Sequence, residues 1–72
     1  MDREYVESSM ITSIGYDPAI CVLEIEFSNG TVWQYNDFPE YMWYEFRQSE
    51  SKGKYFHAYI KKEYTPKGYR VQ

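Results

Sequence analysis

The feature that most constrains the fold is a run of alternating side chains that ends at a turn-forming dipeptide. From residue 23 to residue 28, apolar and polar residues alternate, and Cys21 continues the apolar side. This period of two is typical of a β-strand with one buried and one solvated face. Asn29-Gly30 follows immediately, and this pair favours a tight hairpin turn. Residues 31–35 then supply a returning β-prone segment. The sequence therefore predicts an antiparallel hairpin over residues 20–36.

The loop length of this hairpin decides which side chains are buried. A two-residue loop would place Ile25 opposite Gln34, and would leave Trp33 and Tyr35 as an exposed aromatic platform. A three-residue loop, with Gly30 in a left-handed bulge, would place Ile25 opposite Trp33 instead. Because each large apolar side chain contributes about 1.5–3 kcal/mol when buried, we expect the three-residue loop, with both aromatic residues facing the core.

The segments on either side of the hairpin complete a small α+β domain. Pro39 suits the first turn of a helix, where its missing N–H costs little, and Ser51 is a favourable N-cap for a second helix. The further predicted elements are a strand over residues 10–16, helices over about residues 39–49 and 52–63, and a short strand over residues 69–71. We predict a small antiparallel sheet of three to four strands, with both helices packed on one face.

The length of 72 residues allows one domain with a small core. Residues 1–8 are polar without a period, and we expect a disordered tail there, followed by a single domain over residues 9–72. Aromatic residues make up 21% of the chain, and each buries roughly 150–250 Å², so a few of them fill such a core. The expected core residues are Ile14, Leu23, Ile25, Phe27, Trp33, Tyr35, Met42, Phe46, Phe56 and Ile60.

Charged side chains are sorted along the chain. Residues 1–46 carry nine acidic side chains and one basic one, whereas residues 47–72 carry seven basic and two acidic ones. Such clustering creates a local field that the net charge of −3 hides. On the second helix we expect the lysines to face solvent, and Tyr59 and Tyr64 to share the buried side with Phe56 and Ile60.

Lysines interleaved with tyrosines are typical of a surface for single-stranded nucleic acid, since lysine neutralises phosphates and tyrosine stacks on bases. The candidate residues are Lys52, Lys54, Tyr55, Lys61, Lys62, Lys67 and Arg70. The same spacing is also typical of an ordinary amphipathic helix, and the acidic net charge argues against binding nucleic acid. Both interpretations stay open.

The start of the second helix is a candidate anion site formed by Ser51, Lys52, Gly53 and Lys54. Lysine is unfavourable at a helix N-terminus, where the macrodipole is already positive, but a bound anion would reverse this preference. The structural alternative is that Ser51 caps the helix and both lysines are simply solvated. The glycine spacing of a phosphate-binding Walker loop is missing.

Catalysis and metal binding receive little support from the sequence. Cys21 and His57 are the residues that titrate near neutral pH, but we place them on different elements, with Cys21 on the buried side of a strand. One cysteine and one histidine are too few for a structural zinc site. We therefore predict a non-catalytic domain without a metal or another cofactor.

These segments resemble the KTSC domain, a module named for its occurrence at the C-terminus of some lysyl-tRNA synthetases. The resemblance covers about residues 8–71. It rests on Ile14-Gly15-Tyr16-Asp17-Pro18, Leu23-x-Ile25-x-Phe27, Asn29-Gly30, Pro39, Ser51-x-Gly53-x-Tyr55-Phe56, Ile60 and Tyr64. Trp33 departs from the family's usual Tyr-x-Tyr motif, and His57 stands where members tend to have Asn, which argues against a catalytic role there. The family has no established activity, and its synthetase context implies RNA binding.

Two functions follow as expectations. The first is a small binding module for RNA or another single-stranded nucleic acid. The alternative is a protein-interaction or structural module that docks a partner through an acidic sheet face (Glu24, Glu26) or through the basic helix face. Because the chain starts without a signal peptide pattern and has no long apolar run, we expect a cytoplasmic protein that is not in a membrane. The oligomeric state is not predicted.

Overall fold

The computed structural model describes residues 1–65 and 68–72. Within them the chain forms one sheet and two helices. The strands are β1 (Glu4–Tyr5), β2 (Ile11–Asp17), β3 (Val22–Phe27), β4 (Val32–Tyr35) and β5 (Gly68–Arg70). The first helix is α1 (Glu40–Gln48), and the second is α2 (residues 52–64), which is α-helical at Lys52–Tyr55, π-helical at Phe56–Ile60 and α-helical at Lys61–Tyr64.

The strands are hydrogen bonded in chain order, β1-β2-β3-β4-β5, and every pair is antiparallel. Both helices pack against the same face of this sheet, which we call the inner face. The predicted α+β class and the two helices are confirmed. The described residues form five strands, however, where three to four were expected.

The central hairpin has the predicted three-residue loop. Ile25 lies opposite Trp33, and Leu23 lies opposite Tyr35. The Phe27 N–H donates to the Thr31 carbonyl at 2.8 Å, and Gly30 has a φ of +88°, a left-handed value that glycine adopts without strain. Burial of the aromatic pair therefore set the register, as the energetic argument predicted.

The core lies between the inner face and the two helices. Eight of the ten predicted core residues are buried: Ile14, Leu23, Ile25, Tyr35, Met42, Phe46, Phe56 and Ile60. Phe27 and Trp33 are half-buried and pack against them. Phe38, in the β4–α1 connection, is completely buried and was not predicted. Its ring packs edge-on against Tyr64, at 5.0 Å between centroids.

The N-terminal segment differs from the expected disordered tail. Glu4 and Tyr5 pair with Ile14 and Ser13 of β2, and the Val6 N–H donates to Thr12 at 3.1 Å. The chain passes so close to Gly15 that an added Cβ would lie 2.5 Å from the Asp2 carbonyl oxygen. Contacts made with distant residues therefore order a segment that has no periodic pattern of its own.

The outer face of the sheet is not the solvated acidic surface that the alternation predicted. Glu24 is only 6% exposed, because Arg3 and Gln34 cover it. Arg3 forms an ion pair with one carboxylate oxygen, and the Gln34 side-chain amide donates to the other at 2.7 Å. Tyr69 continues this network by donating to Gln34 at 2.8 Å.

Cys21 is also placed differently from the prediction. It lies in the turn between β2 and β3 with a φ of +55°, and its thiol is exposed rather than on the buried side of a strand. Its carbonyl accepts from the Phe38 N–H at 2.9 Å. The residue therefore fixes the turn through its backbone, which the alternation of side chains did not reveal.

Candidate nucleic-acid interface

The exposed side of α2 carries three of the predicted lysines, and we call Lys54, Lys61 and Lys62 the basic face. All three are exposed. The ion pairs among the described residues are Arg3–Glu24 and Arg47–Glu4, so no described carboxylate is paired with these lysines. Their charges are therefore available to a ligand.

The start of α2 is fixed by its predicted cap. The Ser51 hydroxyl accepts from the Lys54 N–H at 3.2 Å, as expected of a serine N-cap. Lys54 therefore lies in the first turn of the helix, with its backbone N–H bonded to the cap and its side chain exposed.

Tyr59 is exposed, although helical spacing predicted it on the buried side of α2. Its side chain is 57% exposed, and its ring centroid lies 4.8 Å from that of Tyr55. Phe56, Ile60 and Tyr64 take the buried positions at intervals of four residues, which leaves Tyr59 on the flank next to α1. Lys62 follows three residues later and so lies on the same side of the helix. Tyr59 lies within the wide π turn of α2, and no pattern in the sequence predicted that turn.

Tyr55 connects α2 to α1. Its hydroxyl donates to Glu45 at 2.8 Å, and its ring stacks on Phe46 at 5.3 Å. Burial, followed by the Glu45 carboxylate, raises the pKa of this phenol above its usual range. One ring face is therefore occupied inside the protein, and the predicted stacking role for Tyr55 stays a prediction.

The predicted anion site contains a lysine that already has a partner. The Lys52 ammonium donates to the Ser49 carbonyl at 2.6 Å, and Ser49 follows the last residue of α1. Because the C-terminus of a helix is electronegative, this contact explains a lysine at the start of α2. A Cβ on Gly53 would meet Ser8 Oγ at 3.8 Å, which is ordinary contact. Anion binding by this segment stays a prediction.

Arg70 lies at the far edge of the sheet, on β5. It is paired with Trp33 of β4, and its Nε donates to the Gln72 carbonyl at 3.2 Å. Paired residues of antiparallel strands present their side chains on the same face, so Arg70 and Trp33 are neighbours on the inner face. Lys67, the remaining predicted residue, lies outside the described residues.

A concave region lies between β1 and α1. This cleft has a volume of about 240 Å³, and Arg3, Trp43 and Arg47 contribute to its lining. Arg47 donates to Glu4 at 2.8 Å, and Arg3 is paired with Glu24. Both guanidinium groups are therefore neutralised within the protein, and the cleft is a poorer anion site than the basic face.

Cys21 and His57 stay on separate elements, the β2–β3 turn and α2. Over residues 1–65 and 68–72, no three His, Cys, Asp or Glu side chains come together in a way that would hold a metal ion. In the same part of the chain, none of the helices has the length and apolar character needed to cross a membrane.

Comparison with known proteins gives consistent results. The model of the KTSC domain matches residues 7–64. An uncharacterised protein of Stutzerimonas stutzeri is 33% identical over 64 residues, which cover 89% of this chain and 90% of that protein. A lysine–tRNA ligase of Nostoc is 34% identical over 58 residues, which cover 81% of this chain but only 10% of the ligase.

A solved structure agrees with the fold. The crystal structure of a KTSC domain protein from Yersinia pestis superposes with a TM-score of 0.89 at 38% sequence identity, and covers 99% of this chain and 97% of that one. The family match, the relatives and the shared fold agree, and the chain belongs to the KTSC domain family.

Proposed function

We propose that this domain is a small, non-catalytic module that binds single-stranded RNA through α2. The observation that carries the proposal is the basic face itself, since three lysines without a described ion-pair partner lie on the exposed side of one helix. The exposed ring of Tyr59 lies on the flank of this helix that carries Lys62. Cations that stabilised the fold would be expected to have partners within it, as Arg3, Arg47 and Lys52 do. A phosphate backbone would supply the missing negative charge.

The choice of RNA as the ligand is supported by one relative. The Nostoc protein, which contains a segment similar to this chain, is a lysine–tRNA ligase, an enzyme named for acting on an RNA. A single strand fits better than a duplex because Tyr59 is an exposed, planar surface, and stacking of one base on an aromatic ring is worth about 1–3 kcal/mol.

The expected affinity is modest and depends on salt. Each phosphate neutralised on a single strand contributes about −0.7 to the slope of log K against log salt, so three lysines predict a slope of roughly −2. The net charge of −3 opposes encounter with RNA at long range. Low ionic strength strengthens both this repulsion and the attraction between the lysines and phosphate.

The test is an NMR titration with a mixed-sequence RNA of about ten nucleotides, a length within the site sizes of single-strand binders, at two salt concentrations. We expect salt-dependent shifts at Lys54, Tyr59, Lys61 and Lys62. The variant K54Q/K61Q/K62Q should lose most of the affinity. The control A19E/I20E/S28E makes the same change in net charge at exposed positions in the turns and should bind nearly as the parent does. Equal losses in both variants would contradict a local site.

A protein-binding role is the second candidate, and the outer face of the sheet favours it. No helix of the described residues covers this face, and it presents Tyr5 at 84% and Tyr69 at 44% exposure. Aromatic residues are enriched at protein interfaces. Absence of RNA-induced shifts at low salt would reject RNA binding and leave this face as the leading candidate.

A further inference from the structure

The half-buried Trp33 lies next to a cationic residue at the β4–β5 edge of the domain. Its strand neighbours on the inner face, Ile25 and Tyr35, are 0% and 4% exposed, whereas Trp33 keeps part of its surface in solvent. Arg70 is its cross-strand neighbour. Among the described residues the Arg70 guanidinium bonds to the Gln72 carbonyl through Nε alone, so its terminal nitrogens are available.

The position of α2 brings two further residues towards this edge. The centroid of the Phe56 ring lies 5.3 Å from that of Phe27 and 6.2 Å from that of Tyr35. These ring contacts place α2 above β3 and β4. Helix α1 lies on the other side, above β2 and β1, because Trp43 stacks on Tyr16 and Arg47 pairs with Glu4.

The helical rotation decides which residues of α2 face Trp33. Tyr55 and Tyr59 each precede a buried residue by one position and lie next to α1. His57 and Lys61 each follow a buried residue by one position, so they are rotated by about a quarter turn to the opposite flank. Both are exposed, and this flank faces β5, where Arg70 lies.

We infer that Trp33 is a base-stacking position at the β4–β5 edge, where RNA bound to α2 places one base on the indole while Lys61 and Arg70 contact the adjacent phosphates. The inference rests on the proposed function and names a second contact that it does not require. An indole next to two cations combines a stacking surface with phosphate neutralisation, as single-strand binders do.

The second tryptophan provides an internal control. Trp43 already stacks on Tyr16, at 5.6 Å and 15° between ring planes, and Arg47 lies 6.0 Å from its centroid. It is therefore occupied by the protein and lies on the α1 side. The single-tryptophan variants W43F and W33F make each indole the only one in the molecule, and both substitutions retain an aromatic ring.

The experiment titrates both variants with the mixed-sequence RNA at low salt, while the anisotropy of a labelled copy of the RNA reports binding independently. In W43F, Trp33 emission should fall along the same isotherm as the anisotropy rises. In W33F, Trp43 emission should stay constant as RNA binds. A folded W33L variant should bind about tenfold more weakly, at the lower end of the range for loss of one stacked base.

The outcomes separate this inference from the function it rests on. If the anisotropy shows binding but Trp33 emission does not change, the stacking position is wrong and RNA binding by α2 stands. If the emission of Trp43 changes instead, the RNA lies on the α1 side and the inference fails. If neither variant changes the anisotropy at low salt, RNA binding itself is rejected.

Discussion

Two parts of the molecule use their positive charges differently. We call the part around β1, β2 and α1 the α1 side, and the part around β4, β5 and α2 the α2 side. On the α1 side, Arg3 and Arg47 are paired with Glu24 and Glu4, and these pairs tie the N-terminal segment to the sheet and the helix. On the α2 side, the lysines of the basic face have no described carboxylate partner. The difference shows that position along the chain does not reveal a cation's role, whereas its partners in the fold do.

The largest expected difference between the two sides concerns Arg3. Replacing it with Met leaves the buried Glu24 carboxylate without its counter-ion, and because the Arg3 side chain is 27% exposed, we expect a loss of about 3 kcal/mol, at the low end for broken buried pairs. K61M should change stability by less than about 0.5 kcal/mol. Urea denaturation of both variants measures the contrast, and similar losses would show that the basic face is structural after all.

The next effect concerns a buried phenol, that of Tyr35, which packs against Phe56 of α2. Burial raises the pKa of Tyr35 to about 12, above the unfolded value near 10. The folded state therefore holds this proton more tightly, so its contribution is complete below pH 10 and is lost as the pH rises towards 12.

The two-unit shift corresponds to about 2–3 kcal/mol at the upper end of this window. Y35F should remove that part of the alkaline destabilisation, because phenylalanine has no phenolic proton to lose. Denaturation curves at several alkaline pH values compare Y35F with the parent, and parallel profiles for the two proteins would rule out this assignment.

The Arg47 contacts should matter less, because this pair is solvent-exposed. The ion pair with Glu4 is worth about 0.2–1 kcal/mol, and the contact with the Trp43 ring adds a similar amount. We expect R47M to lose about 1 kcal/mol in thermal or urea denaturation and K62M to lose almost nothing. A larger loss for K62M would reverse the proposed division between the two sides.

The smallest effect is on the salt dependence of RNA binding. K61Q should make the slope of log K against log salt less negative by about 0.7, the contribution of one phosphate contact. R47Q, on the other side, should leave the slope unchanged. Anisotropy titrations over a range of salt concentrations measure both, and an equal change in the two variants would contradict a site confined to the α2 side.

The parts of the fold that sequence predicted well are those with short-range causes. The hairpin register followed from the burial of Trp33 and Tyr35, and Ser51 caps α2 as expected. The basic face was partly predictable, because the exposure of Lys54, Lys61 and Lys62 follows from helical periodicity. Tyr59 was misplaced, since the π turn at Phe56–Ile60 has no mark in the sequence.

The sequence by itself determined the α+β class, the hairpin and the buried stripes of both helices, because each depends on a local period and on the hydrophobic effect. The tertiary structure alone decided the roles of Arg3, Glu24 and Tyr59, and the placement of Arg70 beside Trp33. These depend on which distant groups come within hydrogen-bonding or packing distance, and a linear pattern of residues does not contain those distances.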